Sequence, residues 1–172
     1  MASVPVYSVV AFSGTGKTTL LERLLPELKR RGLRVAVIKH DAHEFEIDKE
    51  GKDSWRMTQA GADVTVVVSA QKAAIMENRP IPTEDLIAKI DNIDLILTEG
   101  YKHAHWPKIL IHRMSTGKLP AISPDECLAV MTDFPIKTNA PCFHLDDVSS
   151  LANLLVDDMG TKLAPHFPVL TD

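Results

Sequence analysis

The sequence predicts an α/β protein: a predominantly parallel, twisted sheet flanked by helices, with one candidate antiparallel hairpin. Three observations carry that expectation. Short runs of aliphatic and β-branched residues alternate with stretches of helical periodicity. The first run, Val6–Phe12, leads through a glycine-containing turn straight into a leucine-rich amphipathic stretch. Residues 64–76 hold two apolar runs too close together for a helix between them, which marks the candidate hairpin. At 172 residues, with no repeat and no low-complexity linker, the chain reads as a single domain with a sizeable core.

Taken in order, Val6–Phe12 is the first strand. Lys17–Arg31 is a helix carrying Leu20, Leu21, Leu24, Leu25 and Leu28 at i, i+3, i+4 spacing. Gly32 ends it, and Pro26 inside it should kink it or cost one hydrogen bond. Arg34–Lys39 is the second strand, followed by a charged loop from His40 to Lys52. Asp53–Ala60 is a short helix with Asp53 or Ser54 as cap and Gly61 as terminator. Val64–Ser69 and Ala73–Met76 form the hairpin, although the turn Ala70-Gln71-Lys72 lacks Gly and Asn. After Pro80 and Pro82, Thr83 caps a helix to about Ile90. Asp94–Thr98, Ile109–His112, Leu128–Thr132 and Cys142–Leu145 are strands, and Val148–Met159 is the last helix. Residues 160–172 have little periodicity and read as a loosely held tail.

The segment Ala11-Phe12-Ser13-Gly14-Thr15-Gly16-Lys17-Thr18-Thr19 joins the first strand to the first helix. It matches the phosphate-binding pattern G-x-x-x-x-G-K-[ST] except at Ala11, where the first glycine belongs. A strand end supplies the negative φ that Ala needs, so the departure is minor. In such a loop the backbone amides turn toward an anion and the helix N-terminus adds positive potential. Lys17 would then reach the β- and γ-phosphates, and the Thr18 hydroxyl would ligate Mg²⁺. A helix-capping turn without ligand is the plain alternative, and Gly16-Lys17-Thr18-Thr19 after a strand argues against it.

Ligands of open α/β sheets lie beyond the carboxyl ends of the strands. In Asp94-Leu95-Ile96-Leu97-Thr98-Glu99-Gly100, five residues at ~3.3 Å each separate the two acidic groups by about 16 Å. Glu99 therefore falls at the ligand edge as the Mg²⁺-side carboxylate, and Asp94 at the opposite edge as a strand-start cap or surface charge. The loop Lys39-His40-Asp41-Ala42-His43-Glu44-Phe45-Glu46-Ile47-Asp48 follows the second strand at the same edge and reads as a switch segment. No catalytic residue is assigned; the candidates are His40, Asp41 and Glu99. In the loop 100–108, Lys102, His103 and Lys108 are either an anion-holding set or ordinary surface groups, and Trp106 either a packing plug or a stacking platform. Asp133 reads as a strand-end cap ahead of a contact to guanine. Arg56, Arg79 and Arg113 lack spacing that would make any of them an arginine finger.

Net charge is −4, which gives no electrostatic case for a nucleic-acid partner. Cys127 and Cys142 suit small buried residues rather than a disulfide framework or zinc site. No signal peptide and no run approaching a membrane span is seen, so a cytoplasmic location and no membrane partner are expected.

Ser13–Leu20, Ile38-Lys39-His40-Asp41-Ala42-His43, Asp48 with Gly51-Lys52-Asp53-Ser54, Ala60-Gly61-Ala62, Glu99-Gly100-Tyr101-Lys102 and Pro107-Lys108-Ile109 together resemble the molybdopterin-guanine dinucleotide biosynthesis protein B (MobB) family over roughly residues 5–158. Tyr101 stands where Phe is more usual. The resemblance implies a P-loop NTPase fold and a GTP-binding protein of low GTPase activity. Such a protein would be an adapter for the molybdenum cofactor guanylyltransferase that attaches GMP to molybdopterin, and would act as a homodimer. By position, Ser13, Gly14, Thr15, Gly16, Lys17, Thr18 and Thr19 would hold the phosphates of GTP, and Thr18 with Glu99 the Mg²⁺. Gly51, Ala60, Gly61, Ala62 and Asp63 would lie near the nucleotide or a pterin-binding face. Alternatives are a P-loop kinase of a small metabolite and a metal-delivery GTPase using His40, His43, His103 and His105.

Overall fold

The computed structural model describes residues 4–40 and 45–163. It divides into two compact units: Met1–His40 with Asn92–Asp172, and Asp41–Asp91.

The first unit is built on a six-stranded, wholly parallel sheet. Its strands are β1 (Val6–Val10), β2 (Val35–Lys39), β5 (Leu95–Glu99), β6 (Lys108–His112), β7 (Ala129–Thr132) and β8 (Cys142–His144), in the order β2-β5-β1-β6-β7-β8. Because β1 pairs with β5 on one side and β6 on the other, both neighbours of the glycine loop arrive from far along the chain. Alternate residues of the strands meet the helices α1 (Lys17–Arg30) and α4 (Val148–Leu163). Tyr7, Val9, Leu95, Leu97, Ile109, Ile111 and Met131 pack with Leu20, Leu21, Leu24 and Leu28 of α1 and Leu151, Ala152, Leu155 and Met159 of α4. Burial of each such leucine contributes roughly 1.5–3 kcal/mol. The opposite face carries a smaller cluster of Val10, Leu110, Cys127 and Val130. The buried hydroxyls of Thr98 and Ser8 satisfy each other there at 2.9 Å.

Several sequence expectations shift at element ends. β1 stops at Val10 rather than Phe12, because the loop turns at Ala11. Pro26 is accommodated within a continuous α1; it lies on the exposed side, where water can serve the carbonyl deprived of its partner. Gly32 (φ +82) closes α1 as expected, with the amides of Gly32 and Leu33 donating to the carbonyls of Lys29 and Leu28. The last helix runs to Leu163 instead of Met159, so residues 160–163 are helical and not tail; 164–172 lie outside the described residues. Two 3₁₀ turns, Met114–Thr116 and Pro124–Glu126, were not foreseen. Cys127 is buried, and burial pushes its thiol up to about 11. Cys142, expected inside, is exposed because β8 is the edge strand.

The second unit contains α2 (Asp53–Gln59), the antiparallel hairpin of β3 (Val64–Val68) and β4 (Ala73–Glu77), and α3 (Thr83–Lys89). The hairpin forms despite its unfavourable turn. Ser69 substitutes for the missing glycine: its amide donates to the Lys72 carbonyl at 2.8 Å, and its Oγ accepts from the amides of Gln71 and Lys72. α2 begins after Lys52, which provides no side-chain cap, so neither Asp53 nor Ser54 fills the expected capping position. Thr83 is the first helical residue of α3 and Pro82 precedes it as N-cap. Among the described residues no helix is long and apolar enough to cross a membrane.

Candidate functional site: the loop between β1 and α1

The loop 11–16 ends with Gly16 at φ +106, a left-handed conformation that releases α1 at a sharp angle. Gly14 (φ +74) makes the other left-handed turn, and a Cβ there would meet open space. The first-turn amides of α1 have no intrahelical acceptors, Gly16 supplies no side-chain cap, and the first turn holds no acidic residue. These donors are thus free for an exogenous anion, with the helix dipole reinforcing them. Thr15 is buried, and its Oγ1 has no partner among the described residues. Lys17 curls back over the loop, its Nζ 3.3 Å from the Phe12 carbonyl and 3.5 Å from that of Ala11.

Thr18 Oγ1 donates to the Glu99 carboxylate, at 3.2 and 3.1 Å from its two oxygens. The parallel pairing of β1 with β5 produces this meeting by setting Val9 opposite Glu99. A hydroxyl and a carboxylate converging at a helix N-terminus are hard oxygen donors of the type Mg²⁺ accepts, the ion keeping several waters of its own. The residues therefore fit a Mg²⁺-bearing polyphosphate. Asp94 lies at the other end of β5, where its carboxylate accepts from the Arg34 amide at 2.6 Å and pairs with the Arg34 guanidinium at 3.2 Å. The two acidic groups therefore lie at opposite ends of β5.

His40 lies at the same edge: its amide donates to the Glu99 carbonyl at 3.1 Å, and its ring meets Tyr101 edge-on at 4.8 Å. Gly100 follows with φ +101, a backbone conformation that side-chain-bearing residues rarely adopt. Asp41, like His43, lies outside the described residues. Of the loop after β5, Trp106 is buried and packs against Tyr101, which is the plug reading. Lys108 is committed to the carbonyls of Ala104 (2.6 Å) and Trp106 (3.2 Å), whereas Lys102 and His103 are exposed. Asp133 caps the turn after β6 by accepting from the Met114 amide at 2.9 Å. Gly51 (φ +81), Ala60, Gly61, Ala62 and Asp63 belong to the second unit, Gly51 before α2 and the others between α2 and β3. No group of three or more His, Cys, Asp or Glu side chains suited to a metal ion is found among the described residues.

One arginine gains a position that its spacing did not reveal. Arg113 follows β6 directly, and a Cβ on Gly16 would lie 3.2 Å from its Nη2. Its Nε is buried and has no partner among the described residues. No signal in the sequence places it there, because the adjacency of β6 and β1 is set by the strand order of the sheet.

Comparison with known proteins agrees with this geometry. The family model described as MobB, molybdopterin guanine dinucleotide synthesis protein B, matches residues 6–133. The chain is 40% identical over 157 residues to the molybdopterin-guanine dinucleotide biosynthesis adapter protein of Haemophilus influenzae, covering 88% of each chain. It is 38% identical over 164 residues to the protein of that name from Escherichia coli, covering 91% of this chain and 94% of the relative. The crystal structure of Bacillus subtilis MobB superposes with a TM-score of 0.72 at 30% identity, over 89% of this chain and 96% of that one. The match runs through the glycine loop, the sheet that brings Glu99 to it and the inserted hairpin unit: the chain belongs to the MobB family.

Proposed function

We propose that this protein is a GTP-binding adapter in molybdenum cofactor biosynthesis, assisting attachment of GMP to molybdopterin by a guanylyltransferase. The observation that carries the reading is the convergence of Thr18 and Glu99 beside the loop that holds Lys17. Ser13–Thr19 would hold the phosphates, and Thr18 and Glu99 would hold Mg²⁺. When bound, the metal neutralises charge on the β- and γ-oxygens. Lys17 leaves the loop carbonyls for the phosphate oxygens, and the α1 amides complete the cradle. Thr18 and Glu99 keep each other oriented, so the site is arranged before ligand arrives.

Hydrolysis is slow in this reading. The Glu99 carboxylate is engaged by Thr18, and the imidazole of His40 packs against Tyr101, which leaves no evident base for water among the described residues. A regulated or scaffolding use of the nucleotide suits such a site better than turnover. The partner enzyme, the pterin and a second copy of the chain are the expected contacts, in the cytoplasm. Gly51 and Ala60–Asp63 serve the nucleotide or pterin side. The self-association is supported by one face of the hairpin, where Val64, Val66, Val68 and Ile75 are all exposed. A two-stranded ribbon with a bare β-branched face gains most by meeting its own copy about a two-fold axis.

Titration of GTP and ATP with and without Mg²⁺ tests the reading. Lys17→Ala should abolish GTP binding and leave the circular dichroism spectrum unchanged. Equal affinity in both proteins would remove the loop from the assignment, and equal preference for ATP would remove guanine.

A further inference from the structure

We propose that Arg113 forms the wall of the nucleoside subsite, its guanidinium plane lying against the purine end of the nucleotide bound at the β1–α1 loop; the inference rests on that loop being the nucleotide site. Four observations converge on it. The guanidinium packs over Gly16, the residue that launches α1, so closely that a methyl group there would touch Nη2 at 3.2 Å. Its Nε–H is buried and donates to nothing among the described residues, and an orphaned buried donor of a charged group is costly unless a ligand completes it. No carboxylate pairs with Arg113 among the described residues; Asp146, which feels its charge, is engaged by Arg23 at 2.5 Å. Finally, the sheet order separates the two ends of the ligand. β5, which delivers Glu99 to Thr18, lies on one side of β1, and β6, which delivers Arg113, lies on the other.

Thr18 and Glu99 would hold the Mg²⁺ that accompanies a polyphosphate, so their side would face the terminal-phosphate end of the ligand. The opposite side then receives the α-phosphate, the ribose and the base. A planar, always-charged guanidinium stacks on an aromatic face and can turn its Nε–H to a ribose or α-phosphate oxygen. A lysine ammonium has the charge but not the plane. Gly16 is required in this arrangement for its left-handed φ, and a Cβ there would also push the Arg113 guanidinium back by a few tenths of an ångström.

The full-length chain, with Arg113→Ala, Arg113→Lys and Lys17→Ala variants, is titrated with GTP, GDP and inorganic tripolyphosphate in Mg²⁺. Arg113→Ala should weaken GTP and GDP about tenfold each, the scale of a desolvated cation–π contact, while tripolyphosphate binds as to wild type. Arg113→Lys should recover little of the loss. An equal loss for tripolyphosphate would make Arg113 a phosphate ligand, full recovery by lysine would make it a point charge, and no loss would make it structural; each result overturns the proposal. Lys17→Ala separates the two levels: if it still binds GTP as wild type does, the nucleotide site itself fails, whatever Arg113 does. Thermal melting of each variant confirms that the chain still folds.

Discussion

Between residues 45 and 91 no apolar side chain is buried, and Thr65 is the one buried residue of that stretch. In the sheet unit, by contrast, Tyr7, Leu24, Leu28, Leu95, Ile109 and Leu155 are fully enclosed. Both regions hold valine and isoleucine, so β-branched content does not separate them, although Leu86 is the one leucine of residues 41–91. The difference is layering. A six-stranded sheet with helices laid on it creates an interior, whereas a two-stranded ribbon beside short helices has surface on nearly every side. The hairpin region has half-buried apolar side chains, among them Trp55, Met76, Leu86 and Ile87, together with polar contacts: Thr58 with Thr65 at 2.8 Å, and Glu77 between Lys89 at 2.8 Å and Arg79 at 2.6 Å. One region is made to fold, the other to be met.

The largest test of that contrast is a pair of truncations. Leu24→Ala in the sheet unit should cost about 3 kcal/mol of unfolding free energy in urea, while Val66→Ala, with Val66 58% exposed, should cost less than about 0.5 kcal/mol. Similar costs would mean that the hairpin has a core of its own. Next, Val66→Lys together with Val68→Lys should turn a sedimenting dimer into a monomer with the melting temperature of the sheet unit intact. A dimer that persists would place self-association elsewhere.

Two glycines sharpen the comparison further. Gly16 and Gly61 sit at nearly the same φ, +106 and +107, yet a Cβ meets Arg113 at Gly16 and nothing at Gly61. Alanine at Gly61 should therefore cost only the backbone term, about 1–2 kcal/mol. Alanine at Gly16 should cost more and weaken GTP binding as well. Equal costs would show that the Arg113 contact carries no energy.

The smallest effect concerns pH. The hydrogen bonds from Arg34 hold the Asp94 carboxyl below the usual carboxylate range. A depressed folded value means that its contribution is present above the unfolded carboxylate range, near pH 4, and is lost as pH falls through the folded value. Asp94→Asn should lower stability at pH 7 by less than about 1 kcal/mol, the exposed-pair scale, and flatten the decline on acidification. Glu77, depressed chiefly by Lys89, should behave with the same sign in the hairpin region. A stability profile for Asp94→Asn that falls toward acid at least as steeply as that of wild type would contradict the sign.

The loop was legible because its signals are adjacent in sequence: apolar strand, two glycines, lysine, threonine and the leucine stripe of α1. Glu99 was legible for a similar reason, since the length of one strand separates it from Asp94 and only one end can face the ligand. The parallel pairing then delivered it to a hydroxyl 81 positions earlier. The ends of α2 and α3 were misjudged, as were the extent of α4 and the exposure of Cys142. Those features depend on which groups the rest of the chain leaves accessible. Whether a strand is central or at an edge is not written in three residues such as Cys142–His144.

Local chemistry, then, determined the elements, the phosphate-type loop and the edge on which the acidic partner falls, because backbone preference and side-chain periodicity act over a few residues. Tertiary structure alone decided that β6 lies beside β1 and so sets Arg113 over Gly16, and that the valines of the hairpin stay bare. Those outcomes follow from strand order and layering, which are settled by burying the whole sheet at once and not by any one segment.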